Sequence, residues 1–398
     1  MAIRSGAGCR WFDQDGPLGI HDPCDARAGQ VHQGVQLPAV EGPTLGGALH
    51  LHEVPGTGHY HVEVDLSDNT NLWGPHPHAL ARIRAASADD LSRYPELYAD
   101  KLRNAVADRF SIQPECVTTG AGSDDVLDSA FRASSVPGAV VAYPAPTFSM
   151  ASELALMNGM QPRPVPWSYA LNTPELLLED QPSIIYVCRP NNPTGDTAPV
   201  KWVDKLLGLC ESSDTLILID EAYADFAGAS LIPRAVEIPN LLVTRTSSKA
   251  YGLAGLRCGY GVARPDVILE VDKSRGPYKV ATLATYATAA AIQDADGWMD
   301  GIIDECINNR QRLHQALHER GLDPLESQTN FILFRAPSGS ATDDATALRN
   351  QGVQLRPFTE IPGLGDGLRV TVGPWPLLER FLCVLDSRLS ALNGTDSP

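Results

Sequence analysis

Five short apolar runs recur through the middle of the chain: CVTTG (116–120), AVVAYP (139–144), SIIYVC (183–188), TLILID (215–220) and NLLVT (240–244). Each is apolar at consecutive rather than alternate positions, the pattern of a strand covered on both faces. Stretches with helical spacing separate them. In YPELYADKLRNAVADRF (94–110), Leu97, Leu102, Val106 and Phe110 recur at near-helical intervals. This alternation predicts an α/β fold, a mostly parallel central sheet covered by helices. The last third reads as one long helix, WMDGIIDECINNRQRLHQALHERG (298–321), followed by strand-like NFILFR (330–335) and GLRVTVG (367–373). That predicts a second, smaller α+β domain. Residues 1–64 are rich in Gly, Pro and His without a clear period, as in an extended arm. The expected organisation is therefore an arm (1–64), a large domain (65–285) and a small C-terminal domain (286–398).

In a parallel α/β sheet, chemistry collects just beyond the carboxyl ends of the strands. The residues there form a short inventory: Gly120-Ala-Gly122-Ser123-Asp124, Ala-Pro-Thr-Phe148, Arg-Pro-Asn-Asn192, Asp220-Glu-Ala-Tyr223 and Arg-Thr246-Ser-Ser248-Lys249. Lysine usage sharpens it. The chain has six lysines among its 31 basic residues, and Lys249 stands in TSSKAYGLAGLRCGYG (246–261), straight after a buried strand. Alone, such a lysine is most simply a solvated side chain. In this company it suits an imine-forming amine, because partial burial lowers its basicity.

The aldehyde cofactor matching the remaining groups is pyridoxal 5′-phosphate. Its electron-withdrawing ring needs a protonated nitrogen, which Asp220 would maintain. Asn192 and Tyr223 are suited to its ring oxygen. GAGSDD (120–125) opening a helix, with Thr246, Ser248 and Arg257, supplies backbone N–H groups, hydroxyls and a cation for its phosphate. Phe148 offers a flat apolar face. GAGSDD lacks the third glycine of a dinucleotide fingerprint.

Composition excludes several other classes. The net charge of −17 is unsuited to nucleic acid or an anionic membrane surface. No apolar run approaches 18 residues, and the first residues show no apolar core of a secretory signal. Eight scattered cysteines without a CxxC pair read as free thiols, and the protein as cytoplasmic. Eight of the ten histidines fall between positions 21 and 78, in pairs such as HLH (50–52), HYH (59–61) and HPH (76–78). Without HExxH, they are not expected to hold a metal; an arm packed over a neighbouring subunit's site is the preferred reading. SDN occurs at 67–69, but the serine β-lactamase pattern fails, since K-T-G is missing.

RPNNPTG (189–195), DEAYADF (220–226) and TSSKAYGLAGLRCGYG (246–261) together resemble the signatures of the fold-type-I, class-II aminotransferases, most closely the histidinol-phosphate aminotransferases. The likeness spans roughly residues 65–375. It implies a homodimer with pyridoxal phosphate bound as an imine on Lys249. By the same resemblance, Asp220 pairs with the ring nitrogen, and Asn192 and Tyr223 hold the ring oxygen. Gly122, Ser123, Thr246, Ser248 and Arg257 hold the phosphate, with Tyr94 reaching in from the other subunit, and Asp124 is a further cofactor-binding residue. Arg369 would grip the substrate carboxylate and Arg356 its far end. The chain departs from the family pattern at Phe148, where tyrosine is usual. It departs again at NTNLWGP (69–75), where Asn-Glu-Asn-Pro-x-Gly-Pro is expected; this places Asn71 and Trp73 beside the substrate. The expected reaction is transfer of an amino group from an amino acid or amino-alcohol phosphate to a 2-oxo acid. The alternative on the same scaffold is a decarboxylase, an eliminating lyase or a C–C bond-forming enzyme.

Overall fold

The structure is a computed structural model that describes residues 62–394. Most of the expected arm, with HLH and HYH, lies outside the described residues. Twelve strands are defined: β1 Val64–Asp65, β2 Val117–Gly120, β3 Val140–Ala145, β4 Gln161–Pro166, β5 Ile184–Cys188, β6 Leu216–Asp220, β7 Leu241–Thr246, β8 Gly259–Val262, β9 Phe331–Arg335, β10 Val353–Gln354, β11 Arg356–Ile361 and β12 Gly365–Thr371.

The central sheet has seven strands in the order β2-β8-β7-β6-β5-β3-β4. All five apolar runs read from the sequence lie in it and run parallel to one another. The exception is β8, antiparallel to both β7 and β2. Alternation along β5 explains the uninterrupted apolar runs. Ile184, Tyr186 and Cys188 enter one apolar cluster, Ile185 and Val187 the opposite one. The first face is covered by the helices Ser123–Ala133, Met150–Met157 and Pro265–Ser274. The second carries Asp100–Phe110, Val200–Leu209 and Thr282–Ile292. Each fully buried Leu, Ile or Phe contributes about 1.5–3 kcal/mol by leaving water.

Two strands of the central sheet escaped the sequence reading for physical reasons. β4, QPRPVP, carries three prolines and is tolerated because it lies at the sheet edge. β8, GYGV, is glycine-rich because its neighbours come too close for side chains: a Cβ at Gly259 would run into the backbone N of Ser123. Leu97, expected on a helical face, lies in the turn before the helix, which spans Asp100–Phe110 and buries Leu102 and Val106.

The C-terminal region forms a three-stranded antiparallel sheet, β11-β12-β9, against the helices Trp298–Glu319 and Trp375–Gly394. The expected strands NFILFR and GLRVTVG correspond to β9 and β12; β11 was not expected. The segment after residue 62 packs differently from its assignment to the large domain. β1 pairs with β10, and Val64, Leu66, Leu72 and Trp73 join the C-terminal apolar cluster. Residues 64–73 thus lie as a strap across the C-terminal core and lead into the site.

Candidate active site

β5, β6 and β7 end side by side, and their last residues open the site. Asp220 closes β6, buried, with Tyr186 of β5 donating its hydroxyl to Oδ2 at 2.9 Å and Ala222 N donating to Oδ1 at 3.1 Å. Tyr186 was not singled out in the sequence. The available signal was period two: Tyr186 points to the same sheet face as Cys188, whose Cα partner is Asp220. Burial raises the Asp220 carboxyl to about 6, the two donated hydrogen bonds opposing the rise. It is therefore largely ionised at neutral pH, though in an apolar setting that favours a cationic partner.

Lys249 follows β7 in the turn Ser247–Gly252. Its Nζ donates to the carbonyl of Asp68 at 3.0 Å and lies 5.7 Å from the centre of the Tyr223 ring. Burial, reinforced by repulsion from Arg369, lowers this amine to about 8. The Tyr223 hydroxyl accepts from Asn69 Nδ2 at 3.0 Å, and its ring stands edge-on to Phe331 at 5.2 Å. Burial raises the phenol to about 12, with Arg369 and the Asn69 hydrogen bond pulling the other way.

Arg369, on β12, donates through Nη1 to Asn192 Oδ1 at 2.6 Å and through Nη2 to the carbonyl of Ser67 at 2.7 Å. Its Nε is buried without a partner. Its guanidinium sits 5.1 and 5.3 Å from the rings of Phe331 and Phe358, and burial lowers it to about 10. Arg356 on β11 is its direct cross-strand partner.

A second cluster lies at the start of the helix Ser123–Ala133. Thr246 Oγ1 and Ser248 Oγ are 2.9 Å apart, and Arg257 Nη1 reaches Ser248 Oγ at 3.5 Å. Gly122 adopts φ +88°, and a Cβ there would meet Arg257 Nη2 at 2.8 Å, so glycine lets the guanidinium close over the loop. The first-turn amides of this helix have no intrahelical acceptor and suit an anion. The Asp124 carboxylate accepts from Arg257 at 3.1 Å, which leaves its backbone N–H as the group suited to an anion.

Lys249, Tyr223, Asn192 and Arg369 are thus linked by direct contacts and one shared strap, Asp220 closes the strand beside β7, and Gly122, Ser123, Thr246, Ser248 and Arg257 form a second cluster suited to an anion. Asn71 and Trp73 belong to the strap: Asn71 Nδ2 donates to the carbonyl of Ala250 at 2.8 Å, while the buried Trp73 Nε1 has no partner. Phe148 packs at the rim of the apolar cluster that holds Tyr186 and Cys188. Tyr94 stands apart. It is 85% exposed, with its ring 5.2 Å from that of Tyr278. Sequence reading also missed Asn69 and Asn330, whose Nδ2 donates to the Asn69 carbonyl at 3.0 Å. Outside the site, His78, Asp294 and Asp296 come within metal-ligating reach of one another, and His76 is buried with Nε2 3.0 Å from Asp294. In both contacts the imidazoles and carboxylates already satisfy each other.

The class I and II aminotransferase model matches residues 62–384, and the chain belongs to that family. The protein is a pyridoxal-phosphate-dependent transferase with the fold-type-I architecture. A histidinol-phosphate aminotransferase from Nostoc sp. is 33% identical over 311 residues, covering 78% of this chain and 87% of the relative. The structure of histidinol-phosphate aminotransferase from Sinorhizobium meliloti in complex with pyridoxal-5′-phosphate superposes with a TM-score of 0.74 at 24% identity, covering 83% of this chain and 92% of the other. L-threonine-O-3-phosphate decarboxylase from Porphyromonas gingivalis superposes with a TM-score of 0.72 at 23% identity, covering 82% and 99%. At these identities the two structures show the fold alone.

The cofactor fits the residues present. A buried ionised carboxylate suits a protonated ring nitrogen, a lysine of lowered basicity suits an aldehyde, and the helix start with Ser248 and Arg257 suits a phosphate. Among the described residues no helix is long and apolar enough to cross a membrane.

Proposed function

We propose that the protein transfers the amino group of a donor with an anionic tail, an amino-alcohol phosphate of the histidinol-phosphate kind or an amino acid, to a 2-oxo acid. The observation that carries this reading is the cross-strand pair Arg356–Arg369 beside Lys249. Like charges on directly opposed strand residues repel, and an anion between them turns that cost into charge-assisted hydrogen bonds. The name carried by the Nostoc relative supports a phosphate as that anion.

When bound, pyridoxal phosphate supplies an aldehyde that condenses with amines and a ring that draws electrons from the substrate's α-carbon. The chain does the rest. Lys249 at about 8 has roughly a tenth of its population unprotonated at pH 7, against well under a thousandth for an ordinary lysine. It provides both the nucleophilic amine and the base that takes and returns the α-proton. The Asp68 carbonyl orients that amine. Asp220 holds the ring nitrogen protonated, with Tyr186 fixing one carboxylate oxygen. Asn192 gives its Oδ1 to Arg369, leaving its amide N–H₂ and the Tyr223 hydroxyl to donate to the ring oxygen. Gly122, Ser123, Thr246, Ser248 and Arg257 hold the phosphate. Arg369, still cationic at about 10, receives the substrate's carboxylate or phosphate, with Arg356 opposite it sharing that anion or, in a donor that carries two, holding the second.

The same reading makes the working unit a homodimer in which Tyr94 of one chain completes the other's site. Its exposure, together with that of Leu91 and Tyr278, supports this. It also takes 65–285 and 286–398 as the large and small parts, with the strap counted to the small one. Cys116, Cys188, Cys210, Cys258 and Cys306 are buried free thiols, which suits a reducing cytoplasm.

The test is glutamate formation from 2-oxoglutarate with histidinol phosphate and a panel of amino acids. Turnover with an anionic-tailed donor is expected, and Arg369→Lys should lower kcat/KM by about a hundredfold or more with the cofactor retained, because a lysine cannot make the forked contact. Carbon dioxide release without glutamate would overturn the reading in favour of a decarboxylase.

A further inference from the structure

We propose that Asn69 is a positioning residue that sets the hydrogen bond Tyr223 makes to the cofactor, a role that rests on the reaction proposed above. Its side-chain amide donates to the Tyr223 hydroxyl oxygen at 3.0 Å. A phenol oxygen that accepts this bond keeps its own hydrogen for the ring oxygen and becomes a better donor, since hydrogen bonds in a chain polarise one another.

Several features fix the amide there. Asn69 is almost fully buried, and its backbone is held from both sides. Its backbone N–H donates to Thr371 Oγ1 at 3.0 Å and its carbonyl accepts from Asn330 Nδ2 at 3.0 Å, while the Thr371 hydroxyl, which gives its one hydrogen to the Leu66 carbonyl at 2.8 Å, stands 3.3 Å from Asn69 Oδ1. Its backbone is left-handed, φ +55°, a conformation that asparagine adopts more readily than most residues. A glycine would satisfy that backbone equally well. The asparagine is therefore required for its amide, and the amide ends on Tyr223. The same strap carries the Ser67 and Asp68 carbonyls that accept from Arg369 and Lys249. One short segment thus orients the anion-binding arginine, the amine and the phenol together.

The charged and titratable groups facing the phenol are Arg369, Lys249, Asp220 and Cys188. The substitutions below leave all four in place. Asn69→Gly keeps the backbone conformation and removes only the amide, and Tyr223→Phe removes the phenol. The pH titration of the bound cofactor's visible absorption and the cofactor dissociation constant are measured for the wild type, both single variants and the double variant. Thermal melting checks that each folds. A weaker donor leaves more negative charge on the ring oxygen, so the titration should move to higher pH in Asn69→Gly, by several tenths of a pH unit and by less than in Tyr223→Phe. The double variant should match Tyr223→Phe alone, because the amide acts only through the phenol. An unshifted titration in Asn69→Gly overturns the proposal, as does a further shift in the double variant or cofactor loss in Asn69→Gly alone. A wild-type protein that shows no cofactor absorption would instead sink the reaction assigned to the site.

Discussion

Asp220 states at the residue scale what the site costs the fold. Its carboxyl is raised from 3.8 to about 6 by burial. Between those values the folded chain holds a proton that the unfolded chain has released. Stability therefore falls as pH rises through this window, and the penalty, on the order of 3 kcal/mol, is complete above about 6. Asp220→Asn cannot titrate. In the cofactor-free protein its stability relative to wild type should improve by roughly that amount between pH 4 and 7, whatever the offset from altered hydrogen bonds to Tyr186 and Ala222. Denaturant unfolding at several pH values checks this; parallel pH profiles for the two proteins would contradict the assignment. The same variant should lose most of its activity, since the ring nitrogen loses its counter-charge. Residues proposed to act by their own chemistry, Lys249, Asp220 and Arg257, could be singled out in the sequence because few residue types suit those jobs at the end of a strand. Asn69 and Tyr186 were not. Each works by pointing at another side chain: period two gives the sheet face of Tyr186 but not its partner, and Asn69 stands in irregular chain with no period at all.

Elements became legible to the extent that packing dictated their pattern. The five parallel strands are covered on both faces, so burial wrote an uninterrupted apolar run into each. β4, β8 and β11 obey other constraints: an edge that tolerates proline, a close approach that demands glycine, and a half-exposed hairpin with arginine at its start. The close approach bears on the proposed phosphate site, because β8 passes directly against the start of the helix Ser123–Ala133. Gly259→Ala would thrust a methyl group into the backbone at Gly122 and Ser123. Neither neighbour is the end of a flexible side chain, so the helix start must shift. The expected outcome is a loss of about 1–3 kcal/mol in stability together with a cofactor dissociation constant at least tenfold weaker. Gly208→Ala, in an open position on the helix Val200–Leu209, serves as the control: it should leave cofactor affinity unchanged and raise stability by up to about 1 kcal/mol through helix propensity. Weakened stability with unaltered cofactor affinity would show that the helix start does not hold the phosphate.

For the whole molecule, the open question is which chain completes which site. Within one chain, Tyr94 is 85% exposed and its ring faces Tyr278, while the Lys249 amine donates to the strap at the Asp68 carbonyl. An exposed tyrosine beside exposed Leu91 and half-exposed Leu97 suits burial against a second copy. In a two-fold dimer each site would then combine one chain's lysine with the other chain's tyrosine. Lys249→Ala and Tyr94→Ala should each be inactive or nearly so as homodimers. When the two variants are mixed and allowed to exchange subunits, a hybrid dimer has one site in which the intact lysine of one chain meets the intact tyrosine of the other. Random exchange of equal amounts makes half the dimers hybrid with one restored site in each, so activity should return to roughly a quarter of wild type. If Tyr94 served its own chain's lysine, every lysine-bearing site in the hybrid would still lack its tyrosine, and mixing would restore nothing. Sedimentation of the wild type as a species of two chains is the accompanying requirement, because subunit exchange has no meaning for a monomer.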